Sequence, residues 1–152
     1  MSQLNLKPSQ RASVVGVIAP ISASSVQTSG WIDATVFHSY LALIQLGVLG
    51  ASATVDAKLQ QASDNSGTGA KDVTNKAITQ FTKTNTDDGK QALINLRQED
   101  LDFANGFKFF RLSITPAVAA SLIGGVVMGM DPRYGAASDS ANAATTQAQV
   151  VA

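Results

Sequence analysis

A strict alternation of apolar and polar side chains over Ala53–Gln61 places the strongest constraint on what this chain can fold into. Val55, Ala57 and Leu59 fall on one side of an extended segment, and polar residues fall on the other. Successive side chains of a β-strand point to opposite faces, so the pattern predicts a half-buried strand. Gln91–Arg97 alternates in the same way.

Further segments rich in β-branched and aromatic residues are separated by Gly, Ser, Asn, Asp and Pro, which favour turns. These additional strand candidates are Ser13–Ile21, His38–Leu49, Val73–Thr82, Phe107–Thr115 and Leu122–Met130. No segment has the spacing of a strong amphipathic helix. Seven or eight short strands predict an all-β fold, either a single β-sandwich, jelly-roll-like, or a barrel.

The segment His38–Leu49 is apolar on both of its faces. Alternate residues from Tyr40 to Val48 form one face, and Leu41 and Leu43 lie on the other. A helix is the competing interpretation, but two glycines near the end of the segment count against it. A strand with two apolar faces is predicted to be central and covered on both sides.

The two ends of the chain differ in composition from its middle. We predict an N-terminal arm over residues 1–25, a β-sandwich domain over 26–133 and a flexible C-terminal tail over 134–152. The tail is dominated by small and polar residues and lacks the bulky apolar side chains that offset ordering entropy. Within the arm, four residues suit a strand that pairs with a partner sheet: Val14, Val15, Val17 and Ile18.

Charge and composition exclude several classes of function. Charged residues make up 14% of the chain, against roughly 25% in typical soluble domains, and 11 basic residues balance 11 acidic ones. Nucleic-acid binding, which needs a basic face, is therefore not expected.

The longest apolar run, Tyr40–Ala51, is shorter than the roughly 20 residues of a membrane-spanning helix, and the N-terminus lacks a signal-peptide pattern. A surface with few charges tolerates close packing against copies of itself.

Residues that could carry catalysis or bind metals are few. The chain has no cysteine, which excludes disulfides and thiolate chemistry and favours either a reducing compartment or a fold that is stable without disulfides. His38 is its single histidine and is interpreted as structural, since no nucleophile-elbow motif accompanies it. The acidic cluster Glu99–Asp102 is interpreted as solvated, and Asp64–Gly69 as a hairpin loop rather than a calcium loop. We therefore expect no catalytic residue, no cofactor and no metal site.

Aromatic side chains leave one alternative open. Trp31 and Phe107 belong either to the core, the interpretation we favour, or to a stacking platform for sugars. In the second case the chain would be a carbohydrate-binding β-sandwich module, and one of these side chains would have to be accessible to solvent.

Four motifs bear a resemblance that covers about residues 28–135: Thr28–Asp33, Gly50–Ala62, Gly67–Val73 and Gly129–Tyr134. Together they resemble small structural proteins of tailed bacteriophages and prophages that are encoded near the major capsid protein. The motifs themselves contain no catalytic signature.

The resemblance implies a virion structural protein, of the capsid decoration or cement type, on the capsid surface. Its partners would be the major capsid protein and further copies of the chain, as a homotrimer made in the bacterial host cytoplasm. Trp31 and Tyr134 would then join the four arm residues in binding partners. A head–tail connector or tail structural protein is the alternative within the same class.

Overall fold

Ten β-strands and three short helical turns are present in the computed structural model, which describes residues 5–138 and residue 151. The strands are β1 Ala12–Ala23, β2 Gln27–Thr28, β3 Ile32–Asp33, β4 Phe37–Leu46, β5 Thr54–Ala62, β6 Lys71–Ala77, β7 Phe81–Thr82, β8 Gln91–Arg97, β9 Phe109–Ala117 and β10 Ser121–Pro132. One turn of α-helix, α1, spans Pro8–Arg11, and 3₁₀ turns span Gln98–Asp100 and Phe103–Asn105.

The strands form two antiparallel sheets. Sheet A has the order β1-β10-β4-β8, and sheet B has the order β2-β9-β5-β6, with β3 also on β9 and β7 also on β5. The buried side chains of both sheets belong to one core. The predicted all-β sandwich is confirmed, and the barrel alternative is set aside because the two sheets are separate.

The strand pairing is nested. If β2 with β3, and β6 with β7, are each counted as one interrupted strand, the chain has eight strands. The first pairs with the last, the second with the seventh, the third with the sixth and the fourth with the fifth. This is the order of a hairpin folded back on itself into two Greek keys, which is a jelly roll.

The apolar side chains of the alternating segments point into the core. Val55, Ala57 and Leu59 of β5 are buried, as predicted, and so are Phe110 and Leu112 of β9. The sheets come close enough at Gly125 of β10 that a Cβ atom there would lie 2.8 Å from Leu112 Cδ2. The close approach of the two sheets, rather than a bulge in β10, explains why a glycine occupies this position.

The strand predicted over Val73–Thr82 is interrupted. Pairing of β6 ends at Ala77, and β7 resumes at Phe81 on the same neighbour, β5. In between, the amide of Ile78 donates to the carbonyl of Ala57 at 2.9 Å. Ala77 is exposed at this break.

Much of the segment predicted as an N-terminal arm contributes a strand of the sandwich. β1 pairs with β10 from Ala12 to Ala23, with register shifts between Val14 and Gly16 and between Ile18 and Ile21. β1 is an edge strand of sheet A. Pairing with a partner sheet, if it occurs, would use the other edge of this strand, and it stays a prediction.

The start of the predicted tail packs on the N-terminal helical turn. The amide of Ala137, a fully buried residue, donates to the carbonyl of Gln10 at 2.9 Å. Tyr134, three residues earlier, is 81% exposed. The remainder of the predicted tail, residues 139–150 and residue 152, lies outside the described residues, as does the start of the predicted arm, residues 1–4. Within the described chain, no helix is long and apolar enough to cross a membrane.

Candidate interaction surface

The outward side of sheet A is largely apolar, and its apolar side chains are half-buried or exposed among the described residues. Buried residues of β4 and β10, such as Ile44 and Val127, alternate with apolar residues that point the other way. We call this outward set the apolar face. Its members are Val14, Val17, Leu41, Leu43, Leu93, Leu122, Val126 and Met128.

The register places these side chains side by side in rows across the strands. One row runs over all four strands, because Val17 pairs with Val126, Val126 with Leu43, and Leu43 with Leu93. Its neighbour brings Val14, Met128 and Leu41 together, and ends on the polar Asn95 of β8. Antiparallel sheets with one solvated side normally carry polar residues there. The outward side of sheet A departs from that rule in these two rows, whereas the flanking rows include Gln45 with Gln91 and Ser39 with Arg97.

Charged residues are almost absent from this sheet. Its four strands contain only Arg97 and Asp131, and both lie at the end where β8 and β10 flank Ser39 of β4. Of the six ion pairs among residues 5–138, only Arg97–Glu99 involves a strand of sheet A. The outward side of sheet B, by contrast, carries pairs such as Lys58–Asp72 at 2.8 Å.

A groove with a volume of about 530 Å³ lies on the apolar face near the start of β10, around Leu122–Val126. Gly124 supplies no side chain to fill it, and Pro20 borders this glycine, with its Cα 3.6 Å from the place of a Cβ. Leu122, 47% exposed, and Ile21, 43% exposed, line it. The bulge in β1 between Ile18 and Ile21 lies beside the groove, where the regular row of side chains is interrupted.

Apolar residues continue onto the adjoining loops. Val48, 61% exposed, accepts a backbone hydrogen bond at 3.0 Å from the amide of Leu122, which holds it beside the groove. Val118, in the turn between β9 and β10, is 75% exposed and has a φ of 72°. A β-branched residue rarely adopts this left-handed conformation. Both valines therefore present apolar surface to solvent at the same end of the sandwich.

The predicted partner-binding residues are divided among several environments. Val14 and Val17 belong to the apolar face, whereas Ile18 is buried in the core and Val15 packs against it. Trp31 lies on the sheet B side, and Tyr134 follows the end of β10. The structure does not gather these residues into one site.

A cationic side chain lies against one face of each aromatic candidate. The guanidinium of Arg111 lies 4.5 Å from the centre of the Trp31 ring, and the ammonium of Lys71 lies 4.1 Å from that of Phe107. The indole also abuts Gly67, where a Cβ would stand 2.7 Å from Nε1. Trp31 and Gly67 come from two of the four resemblance motifs, so their contact gives those motifs a role in the fold.

The acidic side chains considered as metal ligands or catalytic groups interact with other residues of the chain. Lys71 binds Asp102 at 2.6 Å and is the main reason that the pKa of this carboxyl lies below its usual range. Lys76 binds Asp100 at 3.1 Å. In the 63–70 loop, the hydroxyl and amide of Thr68 donate to Asp64 and lower its pKa. No group of three metal-binding side chains converges anywhere in residues 5–138.

His38 is exposed on β4, at the polar end of sheet A. A shallow polar depression of about 680 Å³ includes it with Ser39, Arg97, Glu99 and Asp131. Ser39 donates to Asp131 at 3.1 Å. A general base must reach both a nucleophile and an orienting group, and no hydrogen bond in the described chain links His38 to Ser39 or Asp131.

Comparison with known proteins gives no family. No family model and no curated protein matches the chain. Among solved structures, similarity is found to infectious bursal disease virus Gx strain, with 12% identity and a TM-score of 0.41 over 89% of this chain and 38% of that chain. The chain thus spans well under half of that viral protein. It is also similar to cowpea mosaic virus top component, with 13% identity and a TM-score of 0.40 over 83% of this chain and 88% of the viral chain. At these low similarities, the fold and function of the chain are argued from its own residues.

Sequence reasoning named Val14 and Val17 as partner-binding but missed the larger surface they belong to. The signal was present in His38–Leu49, where Leu41 and Leu43 make a second apolar face. On the sequence alone, this second face predicts a strand that is covered on both sides. The strand is central, since β4 lies between β10 and β8, but Leu41 and Leu43 are only half-buried, whereas the opposite face of β4 is buried.

Proposed function

We propose that the chain is a virion structural protein, a capsid decoration or cement protein that binds and stabilises the lattice of the major capsid protein. The observation that carries the assembly role in this proposal is the apolar face: eight apolar side chains without a charge, half-buried or exposed on the outward side of sheet A. Such patches on soluble proteins mark surfaces that contact other proteins. An assembly role accounts for it better than a catalytic role does.

The jelly roll is compatible with this role but does not establish it. The fold serves viral capsid domains and also lectins, so function must be argued from the surface. A lectin would need an open aromatic platform, whereas Trp31 and Phe107 each have a cationic side chain against one ring face. The resemblance of the four motifs to phage head proteins adds independent support for the virion reading.

In this proposal the two ends of the chain reach neighbouring subunits, while the sandwich forms the body of the protein. Self-association, as the homotrimer that the resemblance implies or in another symmetry, would multiply weak contacts over a shell. The proposed location is the capsid surface, after synthesis in the host cytoplasm.

The test uses particles that lack the protein, to which the purified full chain is added. We expect saturable binding, in a fixed ratio to the major capsid protein, and a higher melting temperature of the particle. A variant without residues 1–6 should bind less, because it loses the end of the arm while keeping α1 and the Gln10–Ala137 hydrogen bond. Undiminished binding of this variant would refute the arm contact.

Copy number per particle separates the alternatives. A decoration protein is present in numbers comparable to the major capsid protein, whereas a head–tail connector or tail component is confined to one vertex. No binding to any particle, together with binding to glycans, would favour the carbohydrate-binding module.

A further inference from the structure

We infer that the apolar face is a self-association surface, and that its occupant is the apolar face of a second copy of this chain, related by a two-fold axis. This inference rests on the proposed role as an assembly part and names the surface and the symmetry by which copies join.

The size of the surface fits a weak pair in equilibrium with the monomer. Strands lie about 4.8 Å apart and rise about 3.3 Å per residue, so four strands over nine residues cover roughly 570 Å². Covering such a face in two copies removes about 1,100 Å² from water, close to the lower bound of roughly 1,200 Å² for stable interfaces. Val48 and Val118, at the adjoining end, extend the surface toward that bound.

The chemistry of the surface selects its partner. Contact between the apolar face and a charged surface would be unfavourable. The charged groups would lose their hydration, and the apolar face offers no opposite charges to replace it. In residues 5–138, the other large sheet face belongs to sheet B and carries Asp56, Lys58 and Arg111. The matching surface on another copy is therefore the apolar face itself.

Symmetry follows from this self-match. When the same patch is used on both subunits, the contact is isologous and closes as a pair. A three-fold ring requires each copy to present two different complementary patches, and sheet B does not supply the second. Two sheets that pack face to face do so with strands about 30° apart, the arrangement also found inside sandwiches.

The C-terminal segment of the same chain is the competing occupant. The described chain reaches Ser138 beside α1, since Ala137 bonds to Gln10, and the groove lies at the opposite end of β10. Residues 139–152 are mostly Ala, Ser, Thr, Asn and Gln, with two valines near the end. They bring few large apolar side chains to a row of Leu, Val and Met.

The decisive experiment is sedimentation velocity of the full chain over a wide concentration range. The inference predicts a monomer–dimer equilibrium whose Kd changes little with added sodium chloride, because no charges face each other across the contact. A chain that stays monomeric at every concentration, or that forms a trimer, would overturn it.

Matched variants locate the contact. Leu93 is already 60% exposed, so Leu93→Lys leaves the fold intact but places a charge in the interface of each copy, and should raise the dimer Kd at least tenfold, about 1.4 kcal/mol. Thr74→Lys puts the same charge on an exposed position of β6 and should leave Kd unchanged. Equal effects would overturn the inference.

Removing residues 139–152 tests the competing occupant. Persistence of the dimer supports the face-to-face contact, and its loss refutes it in favour of a contact made by that segment. Dimerisation in solution and binding to particles are separate readouts, so failure of this inference is distinguishable from failure of the proposed function.

Discussion

Gly129 of β10 lies directly against the ring of Phe37, so that a Cβ atom on Gly129 would stand 2.5 Å from Phe37 Cδ2. Phe37 begins β4 and is fully buried, so its ring has no free space to move into. Gly129→Ala should therefore reduce the free energy of unfolding by about 1–3 kcal/mol, the usual cost of overpacking a core. Urea denaturation measures the change.

Gly124 offers the matched control in the same strand. A Cβ atom there meets nothing closer than 3.6 Å, which is ordinary contact. Gly124→Ala should leave the stability within about 0.5 kcal/mol or raise it slightly, since alanine has less conformational freedom to lose on folding. Equal losses in the two variants would contradict the packing described here.

Tyr40 should make the stability depend on alkaline pH. Its hydroxyl donates to the carbonyl of Asp33 at 3.0 Å and accepts from the amide of Phe37 at 3.1 Å. Burial is the main cause that raises the pKa of Tyr40 from 10.0 to about 12. The unfolded chain then ionises first, so the contribution of this group is intact below pH 10 and is lost as pH rises toward 12, by about 3 kcal/mol at most.

The measurement is the free energy of unfolding of wild type and Tyr40→Phe between about pH 8 and pH 12, a range that spans the rise in the pKa of Tyr40 from 10.0 to about 12. Tyr40→Phe should be less stable near neutrality by about 1 kcal/mol, because two hydrogen bonds are lost, and should fall less steeply above pH 10. Tyr134→Phe, at an exposed position, should follow the wild-type profile. Parallel profiles of all three proteins would refute the account of Tyr40.

The left-handed backbone conformation of Val118 should lower the free energy of unfolding. A left-handed conformation costs a β-branched residue about 1–2 kcal/mol, and glycine adopts it freely at an entropic cost of roughly 0.5–1 kcal/mol. Val118→Gly should therefore raise the monomer's free energy of unfolding by about 0.5–1 kcal/mol. Val26→Gly, at a 54% exposed position without positive φ, should lower it by a similar amount. A loss of stability in both variants would contradict the assigned strain.

Several parts of this fold could be predicted from the sequence because they depend on local alternation. The bounds of β8 and the inward residues of β5 follow from a period of two, which any strand with one buried face must show. The bulges in β1, the break after Ala77 and the turn at Val118 could not be predicted. Each is set by contacts with distant strands, and valine would be disfavoured at position 118 on local grounds.

The apolar face was predictable only in part. The sequence from Tyr40 to Leu46 indicates two apolar faces. An apolar side chain is expected to be shielded from water, but its identity does not indicate whether the same chain or another chain shields it. Register was needed to show that Leu43, Val126 and Leu93 share one row. The groove likewise depends on the bulge in β1 and on the missing side chain of Gly124.

The most direct test of whether the apolar face is covered by protein uses the absence of cysteine from the chain. Leu93→Cys and Thr74→Cys each introduce one thiol, the first on the apolar face and the second on β6, and cysteine behaves as a small apolar residue in such a contact. Maleimide labelling rates are measured from dilute to concentrated protein. We predict that labelling at position 93 slows as concentration rises, while labelling at position 74 does not change. A labelling rate at position 93 that stays constant from dilute to concentrated protein would contradict the account.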